Sequence, residues 1–316
     1  MTVEGVPLPV TVVGGYLGAG KTTLINRLLS EDHGLRLAVL VNDFGEVNID
    51  AGLVAAHDGE TWQMTNGCIC CSIGDDFSAT MLQIARADPR PDAVVVEASG
   101  VADAMRFSTY AGEWLGFDLR AIVVLADAET IRTKADDRYV GDLVVRQLQG
   151  ADLVVLNKVD LVDHSSVAGV REWMAAMDVA APVVDTCHAA LPTGVFFGDH
   201  ERVGLDASAD GEGHHAALFS TATVRDDMPW DQQRLEAALG QLPTSIVRLK
   251  GTVALHGESA ETVVQLVGRR WQLTNTNQPQ TGHTELVLIG LGDQPTVDAA
   301  AASLVGDCRP SSTRLG

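Results

Sequence analysis

Two short clusters of residues in this chain have the types and spacing to do chemistry. The first, Gly15-Tyr-Leu-Gly18-Ala19-Gly20-Lys21-Thr22, fits the pattern G-x-x-x-x-G-K-[ST]. Its glycines let the backbone curl, so that successive N–H groups from Gly15 to Thr23 can point at the β- and γ-phosphates of a nucleotide. Lys21 adds a positive charge, the Thr22 hydroxyl can bind Mg²⁺, and the helix that follows offers its positive N-terminal end. The context agrees: Val10–Val13 reads as a strand before the loop, and Leu24, Ile25, Leu28 and Leu29 form an apolar helical stripe after it. The second cluster is Cys68-Ile-Cys70-Cys71.

A phosphate loop needs an acidic residue at the end of a buried strand to hold Mg²⁺ through water. Val94-Val95-Val96-Glu97-Ala98-Ser99-Gly100 supplies Glu97, and Gly100 can bring a backbone N–H to the γ-phosphate; the bland alternative is a solvated Glu at a strand terminus. Further on, Asn157-Lys158-Val159-Asp160 follows another apolar run. A carboxylate at Asp160 can accept both the N1–H and the 2-amino hydrogens of guanine, a pattern adenine lacks, which favours GTP over ATP. Asn157 then either reaches O6 or N7 of the base or braces the phosphate loop. Thr186-Cys187-His188 can pack against the base, although Cys187 reads equally as a small buried hydrophobe.

The C-x-C-C spacing is not the C-x₂-C pair of a zinc finger, and no second pair completes four ligands. Three thiolates leave a fourth position for water or a mobile ligand, which suits metal exchange better than permanent binding. Soft sulfur favours Zn²⁺, Cu⁺ or, less commonly, Co²⁺ over Mg²⁺. A helix starting near Asp75 would point its N-terminus at the cysteines and help keep them ionised. Three inert buried cysteines, or a redox pair, stay open as alternatives.

The elements that must position these residues follow a simple rhythm. Val10–Val13, Leu37–Val41, Ala93–Val96, Ala121–Leu125, Leu153–Leu156 and Pro182–Val184 are short Val-rich runs; Thr61–Thr65 is also strand-like. Between them lie helical patterns at Lys21–Ser30, Asp75–Ala87, Asp136–Gln149 and Ser165–Met177. This predicts an α/β domain over residues 1–196, a P-loop fold with a mostly parallel sheet and helices on both faces. Residues 197–216 are Gly-, Asp- and His-rich and read as a linker. Residues 217–316 read as a smaller α+β domain with an open, mostly antiparallel sheet.

Composition narrows the partners. A net charge of −20 repels nucleic-acid phosphates and anionic membranes, so neither is expected as a partner. No apolar run approaches the ~18 residues of a membrane span. The N-terminal MTVEGVPLPV lacks the pattern of a secretion signal, and five cysteines, three of them within four positions, do not form a disulfide framework. A cytoplasmic location is expected.

With these residues in view, the chain resembles the CobW-like metallochaperone GTPases of the SIMIBI class. The resemblance rests on Gly14–Thr23 (GGYLGAGKTT), Val41–Asp50 (VNDFGEVNID), Asn66–Cys71 (NGCICC), Glu97–Gly100 (EASG) and Asn157–Asp160 (NKVD), and extends to RLKG at Arg248–Gly251 and ELVLIG at Glu285–Gly290. It implies GTP·Mg²⁺ binding with slow hydrolysis, and Zn²⁺ or Co²⁺ delivered from Cys68, Cys70 and Cys71 to a client metalloprotein or a metal-cofactor biosynthesis enzyme. It also implies that Asn42–Asp50 senses the γ-phosphate, with Glu46 or Asp43 orienting the attacking water. Two departures stand out: Asp43 replaces the family's usual Glu, and its His-rich loop is reduced to His200, His214 and His215, read as a solvated linker or an auxiliary metal store. A metal buffer that uses nucleotide only to stabilise its fold is the alternative function, and a homodimer is left open.

Overall fold

The computed structural model describes residues 7–31, 34–41, 60–63, 75–98, 116–197 and 219–309. The chain divides into two compact units, Met1–Thr193 and Gly194–Gly316.

The first unit runs β1 (Leu8–Gly15), α1 (Lys21–Ser30), β2 (Leu37–Val41), β3 (Glu60–Gln63), α2 (Asp75–Ala85), β4 (Ala93–Glu97), β5 (Phe117–Asp127), α3 (Ile131–Ala135), α4 (Gly141–Gly150), β6 (Leu153–Asn157), α5 (His164–Ala176) and β7 (Val183–Thr186). A short α6 (Thr193–Phe197) crosses the boundary between units. The seven strands lie in the order β3-β2-β4-β1-β5-β6-β7, and every pairing is parallel. Both faces are covered: Val94, Val95 and Val96 are all fully buried, which is why these strands read as unbroken apolar runs rather than alternating ones. On one side, Val10, Val12, Val94, Val96, Ile122, Val124, Val154 and Leu156 form one core with Met81 and Ile84 of α2, Val144 and Leu148 of α4, and Val170 and Met174 of α5.

One expected helix starts later than its pattern suggests. The pattern predicts a helix over Asp136–Gln149, whereas α4 begins only at Gly141, and a short α3, absent from the expectation, ends at Ala135. The Asp137 carboxylate accepts the backbone N–H groups of Tyr139 (2.8 Å) and Val140 (3.2 Å), offering the chain a turn in competition with the helical ladder. The ladder restarts when the Gly141 N–H reaches the Asp137 carbonyl at 2.8 Å.

Strand order also locates the site. From β1 the chain moves towards β2, and after β4 it crosses to β5 on the other side of β1. That reversal opens a crevice at the carboxyl ends of the central strands, where open α/β sheets bind ligands.

The second unit is a five-stranded sheet, β11-β10-β9-β12-β8, built from β8 (Phe219–Asp226), β9 (Ile246–Val253), β10 (Ala260–Val267), β11 (Arg270–Pro279) and β12 (Thr284–Leu291), with every pairing antiparallel. Helices α7 (Gln232–Gln241) and α8 (Gln294–Cys308) pack Leu235, Leu239, Val297 and Leu304 against Val224, Leu249, Val253, Leu286 and Leu288. Each helix starts on an aspartate cap: Asp231 accepts from the Arg234 N–H and Asp293 from the Thr296 N–H. Among the described residues no helix is long and apolar enough to cross a membrane.

Candidate functional site

Parallel register sets the candidate residues in a row. At the carboxyl edge of the sheet, Glu97 of β4 pairs with Val41 of β2 and Val13 of β1; Gly15 of β1 pairs with Leu125 of β5; and Asn157 of β6 pairs with Asp127 of β5 and Thr186 of β7. Residues far apart in the sequence thus emerge side by side.

The loop from Gly15 to Gly20 turns directly into α1. A Cβ on Gly15 would lie 2.3 Å from the Leu125 carbonyl oxygen and one on Gly20 2.4 Å from the Asn157 amide nitrogen; both residues also have positive φ, +128° and +107°. Only glycine fits at either position. No acidic residue occupies the first turn of α1, so nothing in that turn competes with an anion for its N–H groups. Lys21 is buried, with its Nζ donating to the Gly15 carbonyl at 3.0 Å, so its charge lies back across the loop. Ala19 is buried, Gly18 and Thr23 are exposed, and Thr22 is half-buried. Lys134 of α3 stacks over the Tyr16 ring with its Nζ 5.5 Å from the ring centroid.

Glu97 is buried at the end of β4. A carboxylate and the Thr22 hydroxyl are hard oxygen donors, a chemistry that suits Mg²⁺ rather than a soft metal.

Asn157 is hydrogen-bonded to the phosphate loop. It is 2% exposed; its Nδ2 donates to the Ala19 carbonyl and its Oδ1 accepts the Ala189 N–H, both at 2.9 Å. Lys158 has φ +62°, and its Nζ forms a 2.7 Å ion pair with Asp127, whose other oxygen accepts the Glu129 N–H. Asp160 is exposed beyond the strand end, close to the half-buried thiol of Cys187. Burial first, then this neighbouring carboxylate, push the Cys187 thiol above its ordinary value.

Asp127 and Ala189 were not singled out from the sequence. Asp127 had a signal, a lone carboxylate ending a Val-rich strand like Glu97, whereas Ala189 contributes only its backbone and left none.

Asp43, Glu46, Cys68, Cys70, Cys71, Gly100, His200, His214 and His215 lie outside the described residues, as does the stretch read as a linker apart from Phe197, which ends α6. Among the described residues no group of three His, Cys, Asp or Glu side chains could hold a metal ion. Cys308 is fully buried in the core of the second unit, and burial pushes its thiol up to about 12, so it stays protonated.

Known proteins share both units. The model of the CobW/HypB/UreG nucleotide-binding domain matches residues 9–185, and that of the cobalamin synthesis protein cobW C-terminal domain matches residues 219–305. The chain is 29% identical to the zinc chaperone CobW of a Sinorhizobium species, covering 94% of this chain and 97% of that one. It is 28% identical to the zinc chaperone YjiA of Escherichia coli K12, covering 90% and 94%. Against the crystal structure of the Zn(II)-bound YjiA GTPase from E. coli, 96% of this chain and 99% of that one align with a TM-score of 0.47 and 22% identity. With one match spanning the phosphate loop, Glu97 and Asn157, and the other the five-stranded sheet with its two helices, the chain belongs to the CobW/HypB/UreG family and carries the CobW-type C-terminal domain.

Proposed function

We propose that this P-loop GTPase is a metallochaperone that holds zinc as cargo on Cys68, Cys70 and Cys71 and releases it to a client metalloprotein under control of GTP hydrolysis. The observation that carries the reading is the row at the sheet edge: Glu97, the Gly15–Gly20 loop and Asn157 brought together by register alone. The soft C-x-C-C donor set and the zinc-chaperone names of the relatives support zinc over cobalt as the cargo.

In this reading the N–H groups of the loop and α1 receive the β- and γ-phosphates, and Lys21 swings from the Gly15 carbonyl to neutralise them. Thr22 and Glu97 would hold Mg²⁺, which would supply charge stabilisation on the phosphate oxygens. Asp160 selects guanine, while Asn157 keeps the base and phosphate halves of the pocket in register. Glu46 or Asp43 orients a water, which attacks the γ-phosphorus as the bond to the β–γ bridging oxygen breaks, leaving GDP and phosphate. Segment 42–50 senses the loss and loosens the thiolates.

The test is zinc affinity with Mg²⁺ present, in GTP-analogue and GDP states. The coupling reading requires markedly tighter binding with the triphosphate; equal affinities leave a GTPase without metal delivery. Repeating the titration with Co²⁺ decides between the two cargoes.

A further inference from the structure

Lysine is scarce in this chain, and its placement is uneven. Lys21, Lys134, Lys158 and Lys250 are its only lysines, set against 42 acidic residues. The first three follow the carboxyl ends of β1, β5 and β6, around the phosphate loop. Lys21 donates to the Gly15 carbonyl and Lys158 pairs with Asp127. Lys134 is engaged differently. It is half-buried, and among the described residues no carboxylate forms an ion pair with it. Asp137, one turn on, accepts the Tyr139 and Val140 N–H groups instead. The Lys134 ammonium lies over the ring of Tyr16, the second residue of the loop. Both partners are placed by the fold. The Tyr16 ring packs on the same core as Ile131 and Ala135 of α3. The Ala128 N–H ties the segment before α3 to the Asn157 carbonyl at 2.9 Å, and the Lys134 N–H reaches the Thr130 carbonyl at 2.9 Å.

We infer that Lys134 is a second phosphate-binding cation, directed at the terminal phosphate of GTP, with the Tyr16 ring as its positioning residue. The inference rests on the reading of the Gly15–Thr23 loop as the phosphate site and deepens it. Position along the loop decides which phosphate. Asn157 holds the Ala19 carbonyl, so the late part of the loop faces the base-reading strand β6. Tyr16 lies at the other end, beside Gly15, whose carbonyl Lys21 touches. The lysine of such a loop serves the β- and γ-phosphates, so Lys134 approaches that same end. An ammonium suits the task, being a compact charge on a long flexible stem. An aromatic face attracts it only modestly, whereas a phosphate oxygen makes a charge-assisted hydrogen bond. The ring therefore aims the ammonium without competing with the anion. A net charge of −20 opposes nucleotide binding, and a cation beside the loop offsets it at short range, where screening by salt is weakest.

The experiment is calorimetric binding of GDP and of the imido analogue GMPPNP, with Mg²⁺, to the full chain. Lys134→Met, which keeps the stem and removes the charge, should weaken GMPPNP roughly tenfold, the worth of one charge-assisted contact, and GDP much less. Lys134→Ala should give the same change in the GMPPNP/GDP ratio. Lys134→Arg, still a cation that stacks on an aromatic face, should recover most of that ratio. Tyr16→Leu should lower the ratio in the same direction, Tyr16→Phe should leave it near wild type, and Lys134→Met should add little in the Tyr16→Leu background. A merely structural contact predicts otherwise: equal weakening of both nucleotides, or none, with the two substitutions additive. Either result overturns the inference. Lys21→Ala tests the underlying site. If it leaves both affinities unchanged, the loop is not the phosphate site; if it abolishes binding while Lys134→Met is silent, only the role of Lys134 falls.

Discussion

Single residues here often serve two masters, and Asn157 shows why that is hard to foresee. Its tetrapeptide is legible as a base-recognition motif, but what the side chain does is set by the Ala19 carbonyl, 138 residues away, and by the Ala189 N–H, 32 residues on. With both amide ends engaged, one Nδ2 hydrogen remains for a nucleotide. Asn157→Ala would leave a buried carbonyl and a buried N–H unpartnered, at a cost of roughly 2 to 5 kcal/mol. The expected outcome in urea unfolding is a lower midpoint, with GDP affinity falling by more than the loss of one base contact because the phosphate loop and the 187–190 loop are released together. A variant with unchanged stability and only weakened base recognition would show that the brace is incidental. The need for glycine at Gly15 and Gly20 was legible because the loop pattern encodes backbone geometry directly.

At the scale of elements, strands buried on both faces were the easiest to read, since a Val-rich run has no other common explanation in a soluble core. What escaped was structure decided by one polar side chain, such as the turn at Asp137 that separates α3 from α4. The end of β8 is another case. Asp226, 5% exposed, accepts from two nitrogens of the Arg309 guanidinium, Nε and Nη2, at 2.8 and 3.0 Å and from the Trp230 indole N–H at 2.8 Å. This ties the strand end to the residue after α8, 83 positions away, and no local pattern announces it. The hydrogen bond from Arg309 is the main cause that holds the Asp226 carboxyl at about 2, against burial, which would raise it; Trp230 adds to the depression. A depressed carboxyl contributes stability above its unfolded value near 4, and that contribution is lost as pH falls through about 2. Asp226→Asn is therefore expected to cost roughly 2 kcal/mol at pH 7. The gap from wild type should narrow as the pH is lowered from about 4 towards 2, which unfolding titrations across that window would show. A gap independent of pH would assign the cost to packing of the new amide instead.

At the scale of the whole molecule, the chain must bind a highly charged anion while carrying a net charge of −20. The long-range field opposes the nucleotide, so binding depends on short-range groups: the α1 N-terminus, Lys21 and the Mg²⁺ that Glu97 and Thr22 fit. In the proposed delivery cycle, that concentration of favourable charge around the γ-phosphate would give hydrolysis its leverage over the zinc, because losing one phosphate removes several contacts at once. The leverage has a measurable size. Switching cargo from almost fully bound to almost fully released takes about a 10⁴-fold difference in zinc affinity between triphosphate and diphosphate states, ~5.5 kcal/mol. Thermodynamic linkage then makes the effect reciprocal: zinc must raise the preference for a GTP analogue over GDP by the same factor. Nucleotide titrations with zinc and with a chelator present would measure it from the other side, without any client protein. A tenfold shift, ~1.4 kcal/mol, would mean that GTP only biases cargo retention and that the client must supply the rest of the release by binding zinc more tightly. If zinc leaves the nucleotide preference unchanged, no arrangement of segment 42–50 and Cys68, Cys70 and Cys71 can act as a delivery switch, however tightly either ligand binds.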